Sequence, residues 1–229
     1  MKENKKAYVV AIDGTDASGK ATQTALLAKR LVSEGYKVKE ISYPDYDCPS
    51  SGPVKMYLDG MLGDSAEDTD AYCASVLFAV DRFASFRANW KKYYDDEEYV
   101  ILLNRYTTAN AVHQLSKIDD VAEKEKFLSW LFDFEYNLLK VPSPDTVIYL
   151  EMPTDITLSL LQKRCDDTGA KKDIHEKDPS HLYKSHDAAI YACEKLGWSR
   201  ITCGENGVPF TREDIHEKVY AAFKKGLEK

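Results

Sequence analysis

The chain has 229 residues, 44% of them hydrophobic and 30% charged, with a formal net charge of -7. That length accommodates one domain or two small ones, with ample apolar material for a core. The acidic balance and the lack of a Lys/Arg block argue against a nucleic-acid polymer as partner, and no stretch approaches the ~18–20 apolar residues of a bilayer span, so no membrane is expected. The five cysteines (Cys48, Cys73, Cys165, Cys193, Cys203) are scattered and form no C-x-x-C pair. They read as reduced thiols of a cytoplasmic protein with no zinc site.

Short apolar runs alternate with long amphipathic ones, and no linker or repeat divides them. In chain order, strand Tyr8–Ile12 precedes helix Lys20–Glu34, which Gly35 closes. Strand Val38–Tyr43 leads to helices Pro53–Met61 and Thr69–Tyr94. Strand Tyr99–Asn104 leads to helix Asp119–Leu139, and strand Thr146–Glu151 to helix Thr154–Arg164. Helix Pro179–Leu196, closed by Gly197, strand Arg200–Cys203 and helix Arg212–Lys225, closed by Gly226, complete the series. Strands that are mostly apolar on both faces, each followed by helix, imply an α/β fold: five parallel strands covered on both faces. Ligands of such sheets bind at the carboxyl ends of the strands. The polar stretch Cys165–Asp178 (CDDTGAKKDIHEKD) between two good helices reads as a lid within the single domain, of the kind that closes over phosphates.

The strongest local signal follows the first strand. Gly14-Thr15-Asp16-Ala17-Ser18-Gly19-Lys20-Ala21-Thr22 is the G-x-x-x-x-G-K loop in its required strand–loop–helix setting. Its backbone N–H groups can face a β-phosphate, the helix amino terminus adds partial positive charge, and Lys20 adds a full one. Ala21 stands where a Ser or Thr ordinarily ligates Mg²⁺. Thr22 is the substitute metal ligand, unless phosphates, water and carboxylates hold the ion.

Five segments in order together resemble the thymidylate kinase family, whose fold is that of P-loop nucleoside-monophosphate kinases. They are Gly14–Gln23, Tyr43-Pro44-Asp45, Leu77–Phe83, Asn104-Arg105-Tyr106 with Asn110 and Gln114, and Lys163-Arg164 before the polar stretch. The resemblance covers nearly the whole chain and implies transfer of the ATP γ-phosphate to dTMP with Mg²⁺, by a homodimer to which Thr69–Tyr94 contributes. It implies that Gly14–Thr22 and Arg164 bind ATP and that Asp16 touches the sugar 3′-hydroxyl. Tyr43 and Pro44 would line the acceptor site, Phe78 would stack on the pyrimidine and Arg82, at i+4, would donate to its O4. Arg105 would hold the acceptor phosphate, and Asn110 and Gln114 would bond the base. Lys20, Asp16 and Arg105 would act in transfer. With Ala17 where one class of the family carries an Arg, the assisting cation would come from Arg164, Lys171 or Lys172.

Three positions depart from the family pattern: Ala21, Asn104 in place of Asp before Arg105, and His113 where some members carry a Tyr below the sugar. They keep two alternatives open: a kinase of this fold acting on another nucleotide or nucleoside, and a nucleotide-binding module that has lost catalysis.

Overall fold

The five apolar runs become β1 (Tyr8–Gly14), β2 (Lys37–Ser42), β3 (Tyr99–Asn104), β4 (Thr146–Glu151) and β5 (Ser199–Thr202). The computed structural model of the chain describes residues 6–169, 173–176 and 178–228. Its strands form one parallel sheet in the order β2-β3-β1-β4-β5. The register sets Ile12 of β1 beside Asn104 of β3, and Gly14 beside Leu150 of β4. The central strands therefore end level, and the loops that follow them share one edge.

Successive residues of β1 point to opposite faces, which is why the run is apolar throughout. Val10 and Ile12 pack under α1 (Lys20–Ser33) and α9 (Arg212–Leu227), against Leu27, Leu31, Val219 and Phe223. Val9 and Ala11 face Phe86, Trp90 and Tyr106 on the other side. The remaining helices are α2 (Gly52–Leu58), α3 (Ala71–Ser85), α4 (Lys91–Tyr94), α5 (Thr107–His113), α6 (Val121–Phe132), α7 (Thr154–Thr168) and α8 (Pro179–Leu196). None of the described helices is long and apolar enough to cross a membrane.

Several expectations needed correction. The helix expected over Thr69–Tyr94 starts at Ala71, where Asp70 caps it, and a π-helical turn at Phe86–Trp90 interrupts it before α4. The extra residue of that turn re-aims the helix so that Phe86 and Trp90 reach the sheet. The helix expected over Asp119–Leu139 likewise gives way to a π-helical turn at Asp133–Leu138. The lid was expected from Cys165, yet α7 runs on to Thr168, where Gly169 ends it in a left-handed conformation. Gly226 does not close α9 but lies within it, because a Cβ there would stand 2.1 Å from Thr146 Oγ1 of β4. A small hairpin, β6 (Gly204–Glu205) with β7 (Val208–Pro209), was not anticipated. Its Asn206-Gly207 turn, with φ of 54° and 78°, is the sequence signal that marks such hairpins.

Candidate active site

The phosphate loop leaves β1 and enters α1 with the Ser18 amide on the Thr15 carbonyl at 3.3 Å, while the amides of Asp16, Ala17 and Gly19 have no partner among the described residues. Gly19 caps α1 at φ 88° without any side-chain hydrogen bond, and no acidic residue occupies the first turn. The Thr15 and Ser18 hydroxyls are buried without a partner, as befits groups that await an anion. Lys20 is buried and donates to the Thr15 carbonyl at 2.6 Å. Burial, reinforced by the Arg105 guanidinium, pushes its ammonium down to about 7. Asp13, at the end of β1, accepts from the Gly14 amide at 2.8 Å and the Thr108 hydroxyl at 2.7 Å, which fixes the start of the loop.

Beside the loop, the carboxyl ends of β2 and β3 and the faces of α3 and α5 enclose a cavity. Every expected acceptor residue lines it: Asp16, Tyr43, Pro44, Phe78, Arg82, Arg105, Asn110 and Gln114. Arg105 directly follows β3 in a left-handed conformation, φ 63°, and pairs with Asp16. Burial alone would raise the Asp16 carboxyl, but the charges of Arg105 and Lys20 hold it far below the usual carboxylate range. Arg82 is 2% exposed and Glu135 is fully buried. Glu135 takes Nε at 2.7 Å and Nη2 at 2.5 Å, while Nη1 reaches the Tyr106 carbonyl at 3.5 Å, and the side chain lines the cavity. Asn110 donates to the Ser75 carbonyl of α3 at 3.4 Å. The Tyr43–Pro44 peptide is cis, and the turn after it is fastened to α3 by Asp81, which accepts from the Asp45 amide at 2.8 Å.

Of the expected lid, Asp173–Glu176 folds inward. Ile174, His175 and Glu176 are buried, so this part of the polar stretch is packed and not solvated. Ile174 joins Tyr57, Ala66 and Ala74 in an apolar cluster, and the Tyr57 hydroxyl lies 2.8 Å from His175 Nε2. Asp173 and His175 line the acceptor cavity, whose volume is about 80 Å³, well below the ~300 Å³ at the small end of ligand pockets. Burial and the neighbouring Asp16 raise the Asp173 carboxyl to about 6, while Glu176 binds Arg164 Nη2 at 2.7 Å. Arg164 thus meets a lid carboxylate. Lys171 and Lys172 lie outside the described residues.

A thymidylate kinase family model matches residues 12–202. The chain belongs to the thymidylate kinase family. The thymidylate kinase of Mycobacterium tuberculosis is 26% identical over 83% of this chain and 87% of its own. The probable thymidylate kinase of Methanothermobacter thermautotrophicus is 25% identical over 90% and 91%. The solved thymidylate kinase of Candida albicans overlays with a TM-score of 0.66 at 16% identity, covering 96% of this chain and 92% of that one.

Sequence reasoning about this kinase missed several groups that set the geometry. Glu135 looked like one more charge on an amphipathic helix; only the π-helical turn at Asp133–Leu138 carries it inward to Arg82. Asp13 passed as the polar end of a strand. On the far side of the phosphate loop, Thr22 and Gln23 share an open groove with Met152, Phe210 and Arg212, and Gln23 bonds the Arg212 carbonyl at 2.9 Å. The hairpin β6–β7 precedes Phe210, and the Asn206-Gly207 pair is the local signal that could have found it. Asn104 donates to Ser42 Oγ at 3.0 Å and leaves its Oδ1 buried without a partner. A neutral, unclaimed oxygen at the carboxyl end of β3 is of the hard-oxygen type that Mg²⁺ takes, alongside several waters.

Proposed function

We propose that the protein transfers the γ-phosphoryl group of ATP to dTMP, giving ADP and dTDP, with the acceptor in the cavity between β3, α3 and α5. The reading rests on one observation: Asp16, Phe78, Arg82, Arg105, Asn110 and Gln114 converge on a single cavity next to the phosphate loop. An aromatic ring, an arginine aimed by Glu135 and two amides suit a pyrimidine. Arg105 suits a phosphate monoester, and Asp16 suits a sugar hydroxyl. ATP would lie across the loop, its phosphates on the free amides and Lys20 and its base in the groove of Thr22, Phe210 and Arg212. Phosphoryl transfer asks mainly for positioning and charge compensation. Lys20 and Arg105 supply cations on either side of the transferring group, and Arg164, Lys171 and Lys172 supply the lid's.

Magnesium would be held by Asn104 Oδ1 or the Thr22 hydroxyl together with phosphate oxygens and water, and would neutralise charge on the transferring phosphates. The lid is the part of the segment 165–178 that follows α7, withdrawing for substrate entry and re-closing. Val76, Val80 and Phe83 form an exposed apolar stripe on α3 at i, i+4, i+7 spacing, suited to a homodimer seam. Free thiols at all five cysteines accord with a cytoplasmic setting.

A coupled assay with ATP, Mg²⁺ and a panel of nucleoside monophosphates tests the reading. Turnover should be highest with dTMP. No transfer to any monophosphate, with ATP binding intact, would reduce the chain to a nucleotide-binding relative. A preference for another base would shift the acceptor.

A further inference from the structure

Three histidines meet at the back of the acceptor cavity, and the transfer reaction asks nothing of two of them. His113 ends α5, His175 belongs to the turn Asp173–Glu176, and His181 lies in the first turn of α8. Their exposures are 4%, 5% and 1%. The rings lie face to face, His175 and His181 with centroids 4.6 Å apart, His113 and His175 with centroids 5.3 Å apart. One ring nitrogen from each comes within 4.8 Å of those of the other two. Nδ1 of His113 and Nδ1 of His181 are buried without any hydrogen-bond partner. Polar atoms left so in a packed interior call for an explanation.

We propose that His113, His175 and His181 form a binding site for a transition-metal ion of the zinc class. Ligand nitrogens at ~2.0–2.1 Å from zinc stand roughly 3.4 Å from one another, so the cluster must contract by about an ångström. Rotation of the ring carried by the turn provides that movement. Two of the rings already have the second contact that orients a metal-bound imidazole. Ser185 Oγ lies 3.2 Å from His181 Nε2, and the Tyr57 hydroxyl, which receives Lys117 Nζ at 3.1 Å, lies 2.8 Å from His175 Nε2. His113 Nε2 lies 3.1 Å from Arg105 Nη1, and His113 joins the ion by exchanging that contact. Burial keeps all three rings neutral, the state that offers a lone pair: His113 falls far below the usual histidine range, His175 to about 3, and His181 moves down as well. Three imidazoles and no hard oxygen select zinc, cobalt, nickel or copper over magnesium, so this site is separate from the metal of the transfer step. Cysteine spacing carries no hint of it, because every ligand is a histidine. Given the acceptor reading of the cavity, the ion has a consequence: it ties the turn to α5 and α8 and keeps the cavity shut.

Titration of the full chain with Co²⁺, in the absence of nucleotide, tests the site. The expected result is one cobalt per chain with visible bands of nitrogen ligation, displaced by Zn²⁺ and indifferent to Mg²⁺. His181→Gln, outside the cavity, should bind at least about 100-fold more weakly, more than the loss of an orienting partner alone would cause. No stoichiometric binding, thiolate-to-cobalt charge transfer, or undiminished affinity in the variant would overturn the proposal. Imidazole nitrogen NMR of the unaltered chain guards against a misfolded variant. Zn²⁺ should shift three histidines and leave His186 and His216 in place, and shifts confined to those two overturn the assignment. These readouts need no turnover, so failure of the kinase reading would leave them standing. In kinetics, Zn²⁺ should raise the KM of the monophosphate and spare that of ATP; an equal effect on both would overturn the link between the ion and the turn.

Discussion

Lys20 and Arg82 are buried cations, and each is tuned by a different neighbour. Lys20 is held near neutrality by burial and Arg105, which is a property of the free protein: bound phosphates restore its charge. ATP binding at pH 8 should therefore take up close to one proton, measured calorimetrically in buffers of different ionisation enthalpy. Lys20→Ala should abolish that uptake and lower kcat by about 10²–10³-fold or more, the scale of losing one charge-stabilising donor. Normal turnover in the variant would remove Lys20 from the site. Arg82 depends on Glu135, and the pair is buried on both sides. Removing one member of such a pair leaves an uncompensated charge and destabilises by about 3–5 kcal/mol. Arg82→Ala should show that loss in urea unfolding and also weaken the acceptor. Arg82→Met combined with Glu135→Met should regain the stability without the acceptor binding. Equal stability of single and double variants would contradict the pairing.

Among the elements, the turn Asp173–Glu176 is the one that fills part of the proposed acceptor cavity. Asp173 titrates at about 6 in the docked turn, raised by burial and by Asp16, against ~3.9 when free. A raised carboxyl pKa favours the docked form fully below about pH 4, and that advantage is lost as pH rises through 6. His175 of the same turn, pushed down to about 3 by burial, acts in the opposite sense over this window, so the Asp173 contribution is read as a difference. Between pH 5 and pH 7.5, proteolysis within the turn of the ligand-free protein should accelerate more in the unaltered chain than in Asp173→Asn. Identical pH profiles of the two chains would show that Asp173 does not hold the turn. The last turn of α9 offers a stiffer case. A Cβ on Gly226 would meet Thr146 Oγ1 at 2.1 Å and the Tyr8 hydroxyl at 2.7 Å, where those two groups bond each other at 2.6 Å. Overpacking of about 1–3 kcal/mol outweighs the ~1 kcal/mol that alanine gains over glycine in a helix. Gly226→Ala should thus lower Tm, and a rise would mean that α9 sits farther from the sheet.

At the scale of the molecule, Val76, Val80 and Phe83 leave an apolar stripe of α3 exposed. Phe83→Glu places a charge at its end. If two copies join there, sedimentation should show a dimer for the unaltered chain and a monomer for the variant. The acceptor cavity is built partly on α3, so the monomer should also bind the monophosphate less well. A variant that remains dimeric would move the seam elsewhere.

How much of this was legible in the chain differs by the range of the interaction. The five strands, the helices and the phosphate loop were readable because each follows from local rules: period-2 or period-3.6 patterning, capping residues, and glycines where an anion approaches backbone. The grouping of Phe78, Arg82, Arg105, Asn110 and Gln114 was expected from the resemblance of their segments to the family pattern, and all five line one cavity. Tertiary structure alone decided what holds them. Glu135 reaches Arg82 from 53 residues away because a π-helical turn re-aims it, and Gly226 is helical because β4 lies against it. His113, His175 and His181 stand on separate elements, where no spacing rule could join them. The inward packing of Ile174, His175 and Glu176 was likewise decided by tertiary contacts, since a polar stretch carries no local sign of burial. Local sequence fixes which backbone forms, whereas the partner of a buried charge is whatever the packed chain brings within reach.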